Sequence, residues 1–218
     1  MKKVILLSLF VLLSACGKNT EESLNKSMPW KAIVTADGYT QVLGVDIGKD
    51  TFKDIMFKLQ LLAEPALFET KDGNLSLEAY FGKKRFGALE ARLIIEIDAD
   101  QTRLKQILDD KIGDREATPS NLWKYRISVK STKIANDLRV WRLIYLPISD
   151  YGLKQMSFFG EPEEKLKVSE TAEYWLYPTR GMALLYDTAG KEIFYFVAPK
   201  EFQRLKDSLP KEAVITIQ

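Results

Sequence analysis

YWLYPTRGMALLYDTAGKEIFYFVA, residues 174–198, is the stretch that decides the fold class. Residues 174–177, 181–187 and 192–198 are rich in aromatic and branched side chains, and each reads as a β-strand. The intervening Pro178-Thr179-Arg180 and Thr188-Ala189-Gly190-Lys191 carry turn-forming residues. Three strands joined this closely predict an antiparallel meander. Trp175 and Tyr177 alternate with Tyr174 and Leu176, so both faces of the first strand hold large apolar groups. One face must be core, and the other is either covered by the rest of the chain or offered to a partner. A helix over 200–209 follows, with Phe202, Leu205 and Leu209 on one side and Pro210 ending it.

Working back toward the amino terminus, Ser149 caps a predicted helix over 150–159, stopped by Gly160. Residues 138–146 and 122–130 read as strands separated by a Ser/Thr/Asn/Asp-rich segment, and 114–121 as a loop. A helix over 101–112 is capped by Asp98 or Asp100 and carries the stripe Leu104, Ile107, Leu108, Ile112. Strands are expected at 67–71, 75–81 and 88–97, with Asp72-Gly73-Asn74 as a hairpin turn and 82–87 as a loop. Asp50 or Thr51 caps a helix bearing Phe52, Ile55, Met56, Leu59 and Ala63. Residues 31–35 and 40–45 flank the turn Ala36-Asp37-Gly38.

The order strand, helix, three-strand meander, helix therefore occurs twice, over about 40–113 and 138–210. The fold class expected is α+β, as two similar units, each a helical layer packed on an antiparallel β-meander. The boundaries expected are 1–15 for a signal peptide, 16–29 for a lipidated cysteine and tether, 30–113 and 138–218 for the two units, and 114–137 for a connecting segment.

The amino terminus gives an address. Lys2 and Lys3 precede an apolar run to Leu13 that is half the length of a membrane span, and small residues follow it. Leu13-Ser14-Ala15-Cys16 resembles a bacterial lipoprotein signal. The resemblance implies cleavage between Ala15 and Cys16, a thioether-linked diacylglycerol on Cys16 and acylation, palmitate for instance, of the new amino group. Gly17 rather than Asp after the cysteine resembles the outer-membrane sorting pattern. Localisation at the outer membrane, lipid-anchored and facing the periplasm, is the expectation.

A second resemblance rests on Phe158-Phe159-Gly160-Glu161-Pro162 followed by Tyr174-Trp175-Leu176-Tyr177 and Leu184-Leu185-Tyr186-Asp187. An apolar-Gly-x-Pro element, a Trp-x-Tyr strand and a meander are similar to the BamE and β-lactamase-inhibitor-protein superfamily. That resemblance implies a helical layer on one face of a meander, an envelope compartment and tandem units. The first half departs from it, with Leu62-Ala63-Glu64-Pro65 in place of Gly-x-Pro and no Trp in Glu78-Ala79-Tyr80-Phe81.

Composition excludes several chemistries. The chain has no histidine, which removes Ser-His-Asp and Cys-His arrangements and most zinc sites. Loss of Lys2 and Lys3 with the signal leaves 30 basic and 30 acidic side chains, so no net charge draws the protein to nucleic acid. The single cysteine, Cys16, permits no internal disulfide. Ser23-x-x-Lys26 and Ser208-x-x-Lys211 lack the Lys-Thr-Gly that accompanies a catalytic Ser-x-x-Lys. Residues 44–51 miss the phosphate-loop spacing, and Asp98-Ala99-Asp100 lacks the rest of a calcium loop. No cofactor and no catalytic residue is expected.

The candidate partner-binding residues are Trp175 and Tyr177, Arg139 and Trp141, and the basic run Lys83, Lys84, Arg85. Alternation puts Arg139, Trp141, Leu143 and Tyr145 on one face of their strand. The expected function is that of a non-enzymatic, membrane-tethered interaction or assembly factor with an envelope protein partner, of unspecified oligomeric state. The alternatives are a binding module for an apolar small molecule or lipid, and an inhibitor of an envelope enzyme.

Overall fold

The computed structural model describes residues 28–87, 89–151, 156–190 and 192–210. Among them two antiparallel sheets and four α-helices make a mixed α+β fold that is mostly β. Ala15 and Cys16 lie outside the described residues.

A three-stranded sheet comes first: β1 (Ile33–Val34), β2 (Thr40–Val42) and β3 (Val45–Ile47). The strand expected over 40–45 is cut in two because Leu43 and Gly44 both take positive φ, 53° and 82°. That is the twist a two-residue hairpin turn requires.

The second sheet has ten strands. They are β4 (Pro65–Glu69), β5 (Leu75–Phe86), β6 (Leu89–Ile97), β7 (Lys111–Ala117), β8 (Trp123–Ile127), β9 (Val140–Pro147), β10 (Glu164–Lys167), β11 (Ala172–Tyr177), β12 (Met182–Asp187) and β13 (Ile193–Val197). Their order is β10-β11-β12-β13-β9-β6-β5-β4-β8-β7. Both expected meanders, β4-β5-β6 and β11-β12-β13, are present, and β9 joins them edge to edge by pairing with β6 and β13. The helices are α1 (Phe52–Leu59), α2 (Gln101–Asp109), α3 (Val129–Asp137) and α4 (Phe202–Ser208). Thr51 and Asp100 are the caps of α1 and α2, each accepting a hydrogen bond from the first-turn backbone.

Four local expectations are corrected. Residues 82–86 of the expected loop are strand: β5 continues to Phe86 through a bulge between Tyr80 and Gly82, and Phe86 pairs with Leu89. The helix expected to Ile112 ends at Asp109, and β7 occupies the first half of the expected loop. Every residue of β7 is exposed, so no apolar alternation marks it. The polar segment after β8 is α3, capped by Ser128 and burying only Ser131 and Ala135, a stripe too small to signal a helix. Residues 152–155 of the helix expected over 150–159 are outside the described set; its end is a 3-10 turn, Ser157–Phe159, closed by Gly160 at φ 76°.

The large sheet separates two cores. On the first face Leu67, Leu77, Leu93, Ile95, Leu143, Tyr145, Leu184 and Phe194 meet α1, α2 and α3 through Phe52, Ile55, Leu104, Ile107 and Ala135. The three-stranded sheet adds Val42, Val45 and Ile47 to this core, and the 3-10 turn adds Phe159. On the second face Tyr174, Leu176, Ala183, Leu185, Tyr195 and Val197 are roofed by Phe202, Leu205 and Leu209 of the α4 segment.

Gly181 locks the turn before β12. Its φ is 62°, and a Cβ there would stand 2.1 Å from the Val197 carbonyl oxygen and 2.5 Å from the Thr40 hydroxyl. The backbone oxygen cannot swing away, because it belongs to β13. Gly181→Ala is expected to destabilise the fold by at least about 2 kcal/mol, from left-handed strain plus the clash. Chemical denaturation of the two proteins measures it.

Candidate partner-binding face

Strand alternation sets up the site. In β5, Leu77 and Ala79 point into the first core, which turns Ser76, Glu78 and Tyr80 to the opposite side. After the bulge, register places Lys83 opposite Arg92 and Arg85 opposite Glu90 on that same second face. β6 contributes Glu90, Arg92, Ile94 and Glu96 there; β9 contributes Arg142, Ile144 and Leu146. β4 adds Ala66 and Phe68, and β8 adds Lys124 and Arg126.

The second face is therefore divided. Over β9 to β13 it lies beneath α4. Over β8-β4-β5-β6 no described helix or strand lies on it, and its side chains are mostly half-buried or exposed. Cations outnumber carboxylates on this open half, and Arg92, Lys124 and Arg126 form no ion pair among the described residues. Tyr80, Ile94 and Phe68 lie between the charged positions.

A charged row crosses its centre. Register aligns Arg126, Ala66, Glu78, Glu96 and Arg142 on successive strands. Arg142 pairs with Glu96 and also donates to the Ser208 hydroxyl at 2.9 Å, fastening the row to the end of α4. Glu78 accepts from the Ser76 hydroxyl at 2.7 Å. Desolvation, then the neighbouring Glu96 charge, holds the Glu78 carboxyl above the usual carboxylate range, against the opposing Ser76 and Arg142 contributions. At the rim, Lys83 binds Glu90 at 2.7 Å and, chiefly through that hydrogen bond, holds its carboxyl below the usual range.

The raised Glu78 pKa fixes the sign of a pH effect. The folded state holds this proton more tightly than the unfolded state. The associated stability is present below the unfolded value of about 4.3 and is lost as pH rises through the folded value. Glu78→Gln removes that loss. The variant is expected to be more stable than the native protein at neutral pH and equally stable at pH about 4, where the unfolded carboxyl is still largely protonated. Urea denaturation at both pH values tests this; an equal difference at the two would contradict it.

The other sequence candidates fall elsewhere. Lys84 shares its register with Ala91, on the first-face side of β5. Tyr177 is buried, and its hydroxyl donates to the Gly160 carbonyl at 3.0 Å. Burial, opposed by nearby Arg180, pushes its pKa up to about 12. Trp141 is buried in the second core, between the guanidinium groups of Arg204 at 3.8 Å and Arg142 at 4.7 Å. Tyr177 and Trp141 are thus corrected from partner contacts to interior residues. The register shift opposite Glu96 and Ile97 turns Trp141 to the face opposite Leu143 and Tyr145, contrary to simple alternation. Arg139 remains at the surface but is engaged with Asp98 at 3.0 Å, which also holds Arg204 at 2.9 Å. Trp175 is half-buried, with the Lys165 ammonium 4.5 Å above its ring and Tyr186 5.3 Å away.

Tyr80, Ile94, Phe68, Arg92, Lys124 and Arg126 did not stand out in the sequence. Their signal was the outward register of strands whose inward positions are continuously apolar. An open pocket of about 420 Å³ lies between α2 and α3, lined by Arg103, Gln106, Ile107, Asp109, Asp110, Lys130, Ser131 and Ile134. Two of its polar members serve local structure: Asp110 accepts from Ser128, the cap of α3, and from Ser131 at 2.9 Å. Among the described residues, no group of three or more His, Cys, Asp or Glu is placed to hold a metal ion. No protein-family model, curated protein or solved structure matches this chain.

Proposed function

We propose that this chain is a lipid-anchored interaction protein of the bacterial outer membrane, non-enzymatic, facing the periplasm, and that the open half of the large sheet receives an envelope protein partner. The observation that carries this reading is the division of the second face: α4 covers one half, while the other presents Arg92, Lys124 and Arg126, without an ion pair among the described residues, beside Tyr80 and Phe68. Mixed apolar and cationic surface of this kind fits a partner with exposed carboxylates around an apolar centre. Lipid on Cys16 confines the domain to the membrane and raises its effective concentration toward a membrane-bound partner.

The two-unit reading belongs to the same proposal. Its support is that the sheet divides at the β6–β9 seam into halves drawn from separate continuous stretches, residues 65–127 and 140–197. Likeness to the BamE and β-lactamase-inhibitor-protein superfamily is likewise proposed for the second stretch. It is supported by Tyr177 of the Trp-x-Tyr strand holding Gly160 of the Gly-x-Pro element, and by α4 on one face of the β11-β12-β13 meander.

The test is affinity capture of the membrane-extracted protein after crosslinking in intact cells, comparing native chain with Arg92→Glu/Arg126→Glu. One envelope protein recovered in proportion to the native chain and lost in the charge-reversed variant supports the proposal. Equal recovery by both would overturn the assignment of this face.

A further inference from the structure

A second exposed apolar patch lies beside the point where the described chain begins. Trp30, on the 3-10 turn Pro29–Lys31, faces Phe158 at 5.5 Å, Tyr151 at 5.9 Å and Phe159 at 6.3 Å between ring centroids. Tyr151 and Phe159 are buried, whereas Phe158 is 55% exposed, Ile33 56% and Val34 40%. Arg180 ties the two contributing segments together, donating to the Phe159 carbonyl at 2.6 Å and to the Ala32 carbonyl at 3.4 Å. The patch therefore has a built base, and Ile33 and Val34 flank it from the two sides of edge strand β1. Exposed Lys31 borders it. Lys200 is brought to the same end: its ammonium is 5.2 Å from the Tyr39 ring, and adjacent Thr40 donates to the Arg180 carbonyl at 2.9 Å.

We propose that this patch is where the domain lies on the phospholipid bilayer, its aromatic and aliphatic side chains entering the headgroup–acyl boundary and Lys31 and Lys200 meeting lipid phosphates. The inference rests on the reading of Cys16 as the lipid anchor. Met28 stands twelve residues after Cys16, a length of chain that spans at most about 43 Å. The anchor thus keeps the Met28 end of the domain near the membrane, and Trp30, Ile33 and Val34 are the apolar groups two to six residues beyond it. A tryptophan among aliphatic groups with lysines at the rim is the composition that partitions into a membrane interface. Among the described residues, the other exposed large apolar groups are Phe57 on α1, Leu62 just after it, Tyr80 on β5, Ile112 on β7 and Val129 at the start of α3.

The experiment uses the acylated full-length protein in vesicles of phosphatidylethanolamine and phosphatidylglycerol with brominated acyl chains. Cys16 is the only cysteine and is blocked by lipid, so Ile33→Cys supplies one free thiol for an environment-sensitive fluorophore. Glu116→Cys, on edge strand β7 at the far side of the sheet from β10, is the control. The expected result is several-fold stronger quenching by brominated lipid at position 33 than at 116, reduced by the surface substitution Val34→Glu. Equal quenching at the two positions would overturn the proposal. A blue-shifted probe at 33 without lipid quenching would also overturn it, by assigning the patch to a second copy of the chain. Mass spectrometry of the amino-terminal peptide separates the premises: absence of acylation overturns the anchor and the docking together, while acylation without quenching overturns the docking alone.

Discussion

Chain carrying Cys16→Ala is expected to yield no acylated amino-terminal peptide and no cleavage after Ala15, whereas the native chain yields a peptide beginning at lipid-modified Cys16. The effect is all-or-none because the thioether bond needs the sulfur, and this chain has no second cysteine to substitute for it. The energetic consequence is large as well. Each methylene buried in the bilayer contributes about 0.8 kcal/mol, so two or three acyl chains hold a protein where one chain alone binds reversibly. Metabolic labelling with a palmitate analogue, followed by mass spectrometry of the amino-terminal peptide, reads both steps. Unchanged labelling in the variant would remove the anchor from the account.

Phe194→Ala carries the largest expected effect on stability, about 3–5 kcal/mol. Phe194 is fully buried on β13 and stacks on Phe159 at 5.1 Å, with Tyr151 at 5.7 Å and Tyr145 at 5.8 Å. Alanine removes the ring that holds Tyr151 and Phe159 against the sheet and leaves a cavity whose remaining walls come from β9, from Tyr151 and from the 3-10 turn. For a chain of this size the loss corresponds to a fall in Tm of roughly 6–20 °C. Phe57→Ala, at an 83% exposed position on α1, is the control and is expected to stay within about 0.5 kcal/mol of the native protein. Calorimetry of the three proteins distinguishes this account from one in which the aromatic cluster is loosely packed, where the two variants would behave alike.

The legible parts of the fold are those where burial leaves a periodic trace. The meander over 174–198 and the capped helices α1 and α2 follow directly from alternation, stripes and caps. Elements with little burial leave no such trace. β7 is exposed along its length, Glu164–Lys167 alternates lysine with glutamate and leucine at the sheet edge, and α3 buries only a serine and an alanine. Their places are set by pairing with neighbours, which local sequence does not encode. The basic run Lys83 to Arg85 looked like a turn because its charge is high. It is strand because β6 offers Arg92, Ala91 and Glu90 as partners and Glu90 neutralises part of the charge.

The candidate face was half visible for the same reason. Lys83 and Arg85 stand in one charged run of sequence, but Arg92 on β6 and Lys124 and Arg126 on β8 join them on one surface only through register. Trp141 misled in the opposite direction. A single bulge in β9 reverses its direction, and period-two reading cannot see a bulge. Tyr177 and Trp141 have the composition of interface anchors, yet their partners, Gly160 and Arg204, lie within the chain itself.

Photocrosslinking from defined positions in living cells tests the central claim most directly. A photoreactive residue at Tyr80 or Lys124 reports on the open half of the sheet, and one at the more exposed Phe57 reports on α1, which covers the opposite face. The account predicts one discrete adduct with the same envelope protein from positions 80 and 124, none from 57, and loss of that adduct in Arg92→Glu/Arg126→Glu. Adducts of equal yield from position 57, or no adduct from either position on the open face, would contradict it.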